Sequence, residues 1–169
     1  MTDNADDNNL TDTLVDIASA LNYPMVVLTT LSGSHPVGCL VGFSSQSSME
    51  PFRYTVFLSV KNHTFDAVSV GSEVCVHFLA SNQKDLARLF GEWSGDDIDK
   101  FDHCDWTEAP NGAPLIAGVV RWFAGPVVAH DATGDHHGFA VEPRAAQSGP
   151  WPGQLDYQRV LDLEAGKGP

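Results

Sequence analysis

Apolar residues at Leu10, Leu14, Ile17, Ala18 and Leu21 follow an i, i+4, i+7, i+8, i+11 spacing, which predicts one face of a helix. Asn22-Tyr23-Pro24 stops it, because proline lacks an amide donor and biases its predecessor away from helix. The pattern then shortens to strand length. Met25 to Thr30 reads as a strand, Ser32 to Pro36 as a turn and Val37 to Phe43 as the returning strand of a hairpin. Ser44-Ser45-Gln46-Ser47-Ser48 reads as a polar loop, and Tyr54–Val60 as the next strand. Asn62 stands where a capping residue would open a short helix over Phe65 to Val70. Glu73 to Leu79 alternates as a strand does. Asn82 to Phe90 reads as a helix capped by Asn82, with Leu86, Leu89 and Phe90 on one face. Leu115–Phe123 and Val127–His130 read as strands broken at Gly125-Pro126, and Phe139–Val141 as the last strand. From Ala145 onward Gly and Pro accumulate, which predicts a loose end with Leu155, Val160, Leu161 and Leu163 as a small packing element.

Six or seven short strands with helices in the connections predict a mainly β fold, a small barrel with peripheral helices. Neither βαβ alternation nor an internal repeat is present. The glycines around Gly38 and Gly42 lack a third partner and a following helix, so a doubly wound nucleotide fold is disfavoured. The organisation expected is a disordered acidic N-terminus over residues 1–9, one barrel domain over 10–145 and a Gly/Pro-containing C-terminal extension over 146–169.

Composition narrows the partners. The 169 residues carry 9 Lys and Arg against 22 Asp and Glu, a formal net charge of −13. Phosphate-backbone binding needs clustered basic residues, and anionic membranes are met by polybasic segments, so neither nucleic acid nor a membrane surface is an expected partner. No apolar run approaches the length of a spanning helix. Asp3, Asp6, Asp7, Asp12 and Asp16 reverse the basic start of an export signal, and Cys39, Cys75 and Cys104 show no C-x-x-C spacing. A cytoplasmic protein with buried thiols is the expectation.

The residues hold little conventional catalytic machinery. His136-His137 and His103-Cys104 are adjacent pairs, and neighbours on a strand point to opposite faces, so no metal site is expected. There is no G-x-S-x-G elbow. The Ser44–Ser48 stretch offers donors to a flat polar ligand or phosphate, or it is an ordinary connection. Asn62-His63-Thr64 marks either an anion site at a helix start or plain capping. Lys100, alone among the carboxylates from Glu92 to Glu108, either relieves repulsion or meets an anionic ligand.

Taken in order, several segments resemble the flavin reductase-like family built on the FMN-binding split β-barrel. They are Tyr23–Thr30, Gly38–Pro51, Leu58–Phe65, Asp85–Gly91, Asp99-Lys100-Phe101 and Gly134-Asp135-His136. The resemblance covers roughly residues 20–142. It implies a Greek-key-like split barrel, a homodimer whose second copy completes the flavin sites, and hydride transfer from NADH or NADPH to FMN or FAD. It also implies a separate monooxygenase that receives reduced flavin by diffusion. A flavin-binding electron carrier or flavin store without nicotinamide turnover is the alternative. Carried over by position, Ser44, Ser45, Gln46, Ser47 and Ser48 would line the isoalloxazine. Asn62, His63 and Thr64 would meet the ribityl phosphate, Lys100 and Phe101 would close over the flavin, and His136 would sit near the nicotinamide. Trp93 departs from the small residue or Thr that the family has there.

Overall fold

A computed structural model describes residues 3–166, with side chains from Asn9 onward. Helix α1 spans Asp3–Ser19. Ten strands follow: β1 Val26–Ser32, β2 His35–Val41, β3 Ser44–Met49, β4 Phe52–Ser59, β5 Glu73–Phe78, β6 Trp106–Glu108, β7 Pro114–Ile116, β8 Arg121–Ala132, β9 His136–Val141 and β10 Ala145–Ser148. Helix α2, Lys84–Glu92, lies between β5 and β6. Single 3₁₀ turns occupy His63–Ala67, Lys100–His103 and Tyr157–Arg159. The fold is mainly β, as the short-strand pattern predicts.

The main sheet runs β2-β1-β5-β8-β9-β4-β3, with β10 added on β8, and every pairing is antiparallel. Strand β8 joins the two halves. Its first part pairs with β5 and β10, and its second part, from Val127, pairs with β9 across a bulge between Val127 and Ala129. A bulge bends and twists its strand, which lets one strand serve both halves. Val26, Leu28, Val56, Leu58, Val76, Phe139 and Val141 fill the interior. A second core, with Val27, Leu79, Phe90, Ile116 and Leu155, lies under α2 and the C-terminal segment. Strand β1 is covered on both faces, so it reads as a continuous apolar run rather than an alternation.

Several local expectations need correction, among them a strand over Leu115–Phe123, which is split between β7 and β8. The Ser44–Ser48 stretch is an edge strand rather than a loop: its hydroxyls pair across the ladder, Ser44 Oγ with the Tyr54 hydroxyl at 2.9 Å and Thr55 Oγ1 donating to Ser47 Oγ at 2.8 Å. Gly125-Pro126 does not break β8. A side chain at Gly125 would run into the Glu142 carbonyl oxygen, so glycine there permits close packing of two backbones. Helix α2 opens after Gln83, not Asn82; the Gln83 amide instead links Ala80 N and Gly118 O, at 2.9 Å each. Helix α1 begins at Asp3, ahead of the expected Leu10. Residues 1–2 of the expected disordered stretch lie outside the described residues.

The C-terminal extension is fastened more firmly than its Gly and Pro content suggests. Met25 N donates to Leu155 O at 2.9 Å, Leu155 N to Leu79 O at 2.8 Å, and Tyr157 N to Tyr23 O at 2.8 Å. Leu155 and Val160 are buried. Among the described residues no helix is long and apolar enough to cross a membrane.

Candidate functional site

Strands β2, β4 and β9, the turn after β4 and the start of the acidic segment surround one cleft with two connected parts. The larger part, about 480 Å³, is lined by apolar side chains including Met25, Leu40, Val41, Phe43, Phe57, Leu58 and Tyr157. The smaller part, about 200 Å³, is lined by Ser59, Lys61, Asn62, His63, Ser94 and His136. Leu40, Ser59, Asn62, Gly91, His136 and Ala165 border both. The cleft is therefore apolar at one end and polar, with basic side chains, at the other.

The polar end is built by the turn that leaves β4. Asn62 adopts an extended conformation, and its Oδ1 accepts from Thr64 N at 3.0 Å, so it caps the His63–Ala67 turn. That bond already satisfies the amide an anion would have used. One 3₁₀ turn also sums few peptide dipoles, so the backbone of this turn offers an anion little, and the donors left to the cleft are side chains. Asn62 and His63 both reach the cleft, whereas Thr64 is buried and its hydroxyl faces the Cys39 thiol. The phosphate role expected of the Thr64 hydroxyl is thus corrected to a core contact. Asp96, from the acidic segment, holds His63 Nδ1 at 2.9 Å.

His136 lies where the two parts of the cleft meet. Its Nδ1 pairs with Asp135 Oδ1 at 3.0 Å, which lowers the Asp135 pKa, and its ring packs edge-on against Phe43 at 5.2 Å between centroids. Phe43 in turn meets Tyr23, and Tyr23 meets Tyr157, giving an aromatic row along the apolar rim. His137 points to the opposite side, as strand alternation requires, and its Nδ1 pairs with His130 Nε2 at 2.8 Å. Among the described residues no group of three or more His, Cys, Asp or Glu is arranged to hold a metal ion.

Other expected site residues fall elsewhere. Strand β3 lies at the sheet edge, and none of Ser44, Ser45, Gln46, Ser47 and Ser48 lines the cleft. Lys100 borders it but turns inward, donating from Nζ to Gly38 O at 3.2 Å and Phe90 O at 3.0 Å. Desolvation lowers its pKa. It is a buried tether for two carbonyls, not a lid cation. Phe101 is buried against Phe90 and Trp106, so its closure over a ligand is corrected to core packing. Phe43, Ser59 and Lys61 line the cleft without having been singled out from sequence. The signal available was adjacency: each flanks a segment already read as a site.

Burial also decides the thiols. Cys39 and Cys75 are free and buried, and desolvation pushes them up to about 11 and about 12 respectively, so neither is a thiolate nucleophile.

The molecule is thus an antiparallel split barrel whose cleft is apolar at one end and carries polar and basic side chains at the other. The chain belongs to the flavin reductase like domain family, whose sequence profile matches residues 18–159. It is 30% identical over 120 residues to the reductase subunit of stachydrine N-demethylase from Rhizobium meliloti (strain 1021), covering 68% of this chain and 50% of that protein. It is 29% identical over 113 residues to the reductase subunit of a flavin-dependent monooxygenase from Mycobacterium tuberculosis, covering 66% of this chain and 58% of that one. The chain thus spans about half of the length of these curated relatives. The solved structure of an NADH:FAD oxidoreductase from Streptomyces globisporus shares the fold, with a TM-score of 0.74, 24% identity and 86% of each chain covered.

Proposed function

We propose that this chain is an NADH- or NADPH-dependent flavin reductase that supplies reduced FMN or FAD to a separate flavin-dependent monooxygenase. The observation that carries the reading is the two-part cleft of a flavin reductase family member. Its larger part falls in the size range of small-molecule pockets, about 300–1,000 Å³. The residues fit a flavin: Leu40, Phe43 and Leu58 offer apolar contact to a tricyclic ring, and Lys61, Asn62 and His63 offer donors to a ribityl phosphate. Bound flavin would supply a hydride acceptor that the side chains lack.

The chain's own part is positioning and water exclusion. Asp135 fixes the His136 ring, and His136 then orients a second ring at the junction of the two parts. A closely stacked donor and acceptor need no general acid. The three free cysteines suit a reducing compartment, consistent with work in the cytoplasm. A homodimer fits the exposed apolar side chains of α1, Leu10, Leu14, Val15 and Ile17. The net charge of −13 gives no electrostatic handle for an acidic partner, so reduced flavin would pass by diffusion.

The decisive experiment is an activity matrix of NADH and NADPH against FMN and FAD with purified protein. Nicotinamide oxidation that depends on added flavin is expected for at least one combination. A protein that retains flavin but oxidises neither nucleotide is a flavin carrier instead, and the reductase reading falls.

A further inference from the structure

The family match ends at residue 159, yet the cleft continues past it. Val160, Leu163, Glu164 and Ala165 line the larger part, and Ala165 and Gly166 line the smaller one. One wall of the cleft therefore comes from a segment beyond the matched residues. This wall is continuous with buried anchors at Leu155 and Val160; beyond Val160 the partly buried Leu163 still packs on the same core, while the polar fastenings are exposed.

Two fastenings hold the far end. Lys84 Nζ, on the first turn of α2, meets Asp162 Oδ1 at 2.5 Å, and this pairing lowers the Asp162 pKa. Gly166 N donates to Gly91 O at 3.0 Å, where α2 ends. The strap thus runs beside α2 from its first turn to its last. At Gly166 the backbones approach so closely that an added Cβ would fall on the Glu92 carbonyl oxygen, so only glycine allows this seat. A surface ion pair and a single exposed hydrogen bond are individually weak and Leu163 between them is only partly buried, so opening this segment costs little beyond these few contacts.

We propose that residues 160–166 form a hinged wall that sets how long a ring-shaped ligand stays in the cleft, with Val160 as the hinge end and Asp162 and Gly166 as the latches. The inference rests on the flavin reading for the identity of that ligand. For a reductase that hands its product on, release is a functional step, and a wall latched on the surface tunes it without touching the reacting atoms.

The test is the rate of FMN and FAD release from the full-length protein, measured by stopped-flow displacement. Asp162→Lys is expected to speed release roughly two- to fivefold, the range of an exposed ion pair. Adding Lys84→Asp to it should restore the wild-type rate, a rescue that mere loss of folding would not give. Gly166→Val should speed release in the same direction, and hydrogen exchange at residues 160–166 should slow when FMN is bound. Unchanged release in both Asp162→Lys and Gly166→Val, with flavin still bound, overturns the hinged wall and leaves the reductase reading standing. No flavin binding by the wild type overturns both.

Discussion

At the residue scale, the two histidines His63 and His77 show how the same side chain serves opposite ends. His77 is fully buried, with Nδ1 donating to Val27 O at 3.1 Å and Nε2 accepting from Ile116 N at 3.1 Å. This pairing fits only the neutral ring, and burial lowers its pKa to about 4. The folded value lies below the unfolded one of about 6.5, so the unfolded chain binds more protons between those pH values. Stability is then fully present above pH 6.5 and declines as pH falls toward 4, by about 3 kcal/mol from this group. Urea melts from pH 7 to 4.5 should show that decline, and a His77→Leu protein, less stable at pH 7, should show a shallower one. An equal slope in both proteins would assign the decline to other groups. His63, in contrast, is placed at the polar end of the cleft by the turn after β4. If it meets the phosphate, His63→Ala should weaken FMN by about tenfold or more and leave riboflavin, which lacks the phosphate, nearly unchanged. Fluorescence titration of both ligands reads this directly; equal losses for the two would move the phosphate elsewhere. From sequence, a helix start next to a polar triplet pointed to this place. It did not show that Thr64 turns into the core while His63 turns out, because a 3₁₀ turn assigns its faces only once packed.

At the scale of elements, Ser44–Ser48 and Gly125-Pro126 mislead for related reasons. Propensity reads Ser and Gln as loop, but an edge strand needs only one partner, and β4 supplies the ladder with Tyr54 and Thr55 to match the hydroxyls. Gly and Pro likewise read as punctuation. In β8 the Gly125 position instead brings the Glu142 backbone within reach, and Arg144 N donates to Ala124 O at 2.8 Å. Gly125→Val should therefore cost more than the usual 1–3 kcal/mol of overpacking, because the obstacle is backbone that cannot rotate away. Thermal melts should drop by several degrees; an unchanged midpoint would mean that β8 and the segment after β9 are not tightly apposed. Strands with strong alternation, such as β4 with Tyr54, Val56 and Leu58 inward, were legible because one buried face writes itself into every second residue.

For the whole molecule, helix α1 is the feature that a single protomer does not account for. The spacing of Leu10, Leu14, Ile17 and Leu21 predicts an apolar face, and those side chains are 58%, 55%, 55% and 47% exposed. A second copy covering that face would make Leu14→Asp with Ile17→Asp monomeric by light scattering, with the barrel still folded by circular dichroism. A wild type that is already monomeric would end the dimer reading. The sequence by itself determined the mainly β class, the hairpin of β1 and β2, an N-terminal helix and the family, because each is written in local periodicity or in ordered motifs. Only the tertiary structure decided that Lys100 and Phe101 belong to the interior, that β3 lies outside the cleft, and that the C-terminal segment forms a wall of it. Those outcomes depend on which surfaces meet across long sequence separations, as when Lys100 reaches Gly38 O, and no local pattern encodes such meetings.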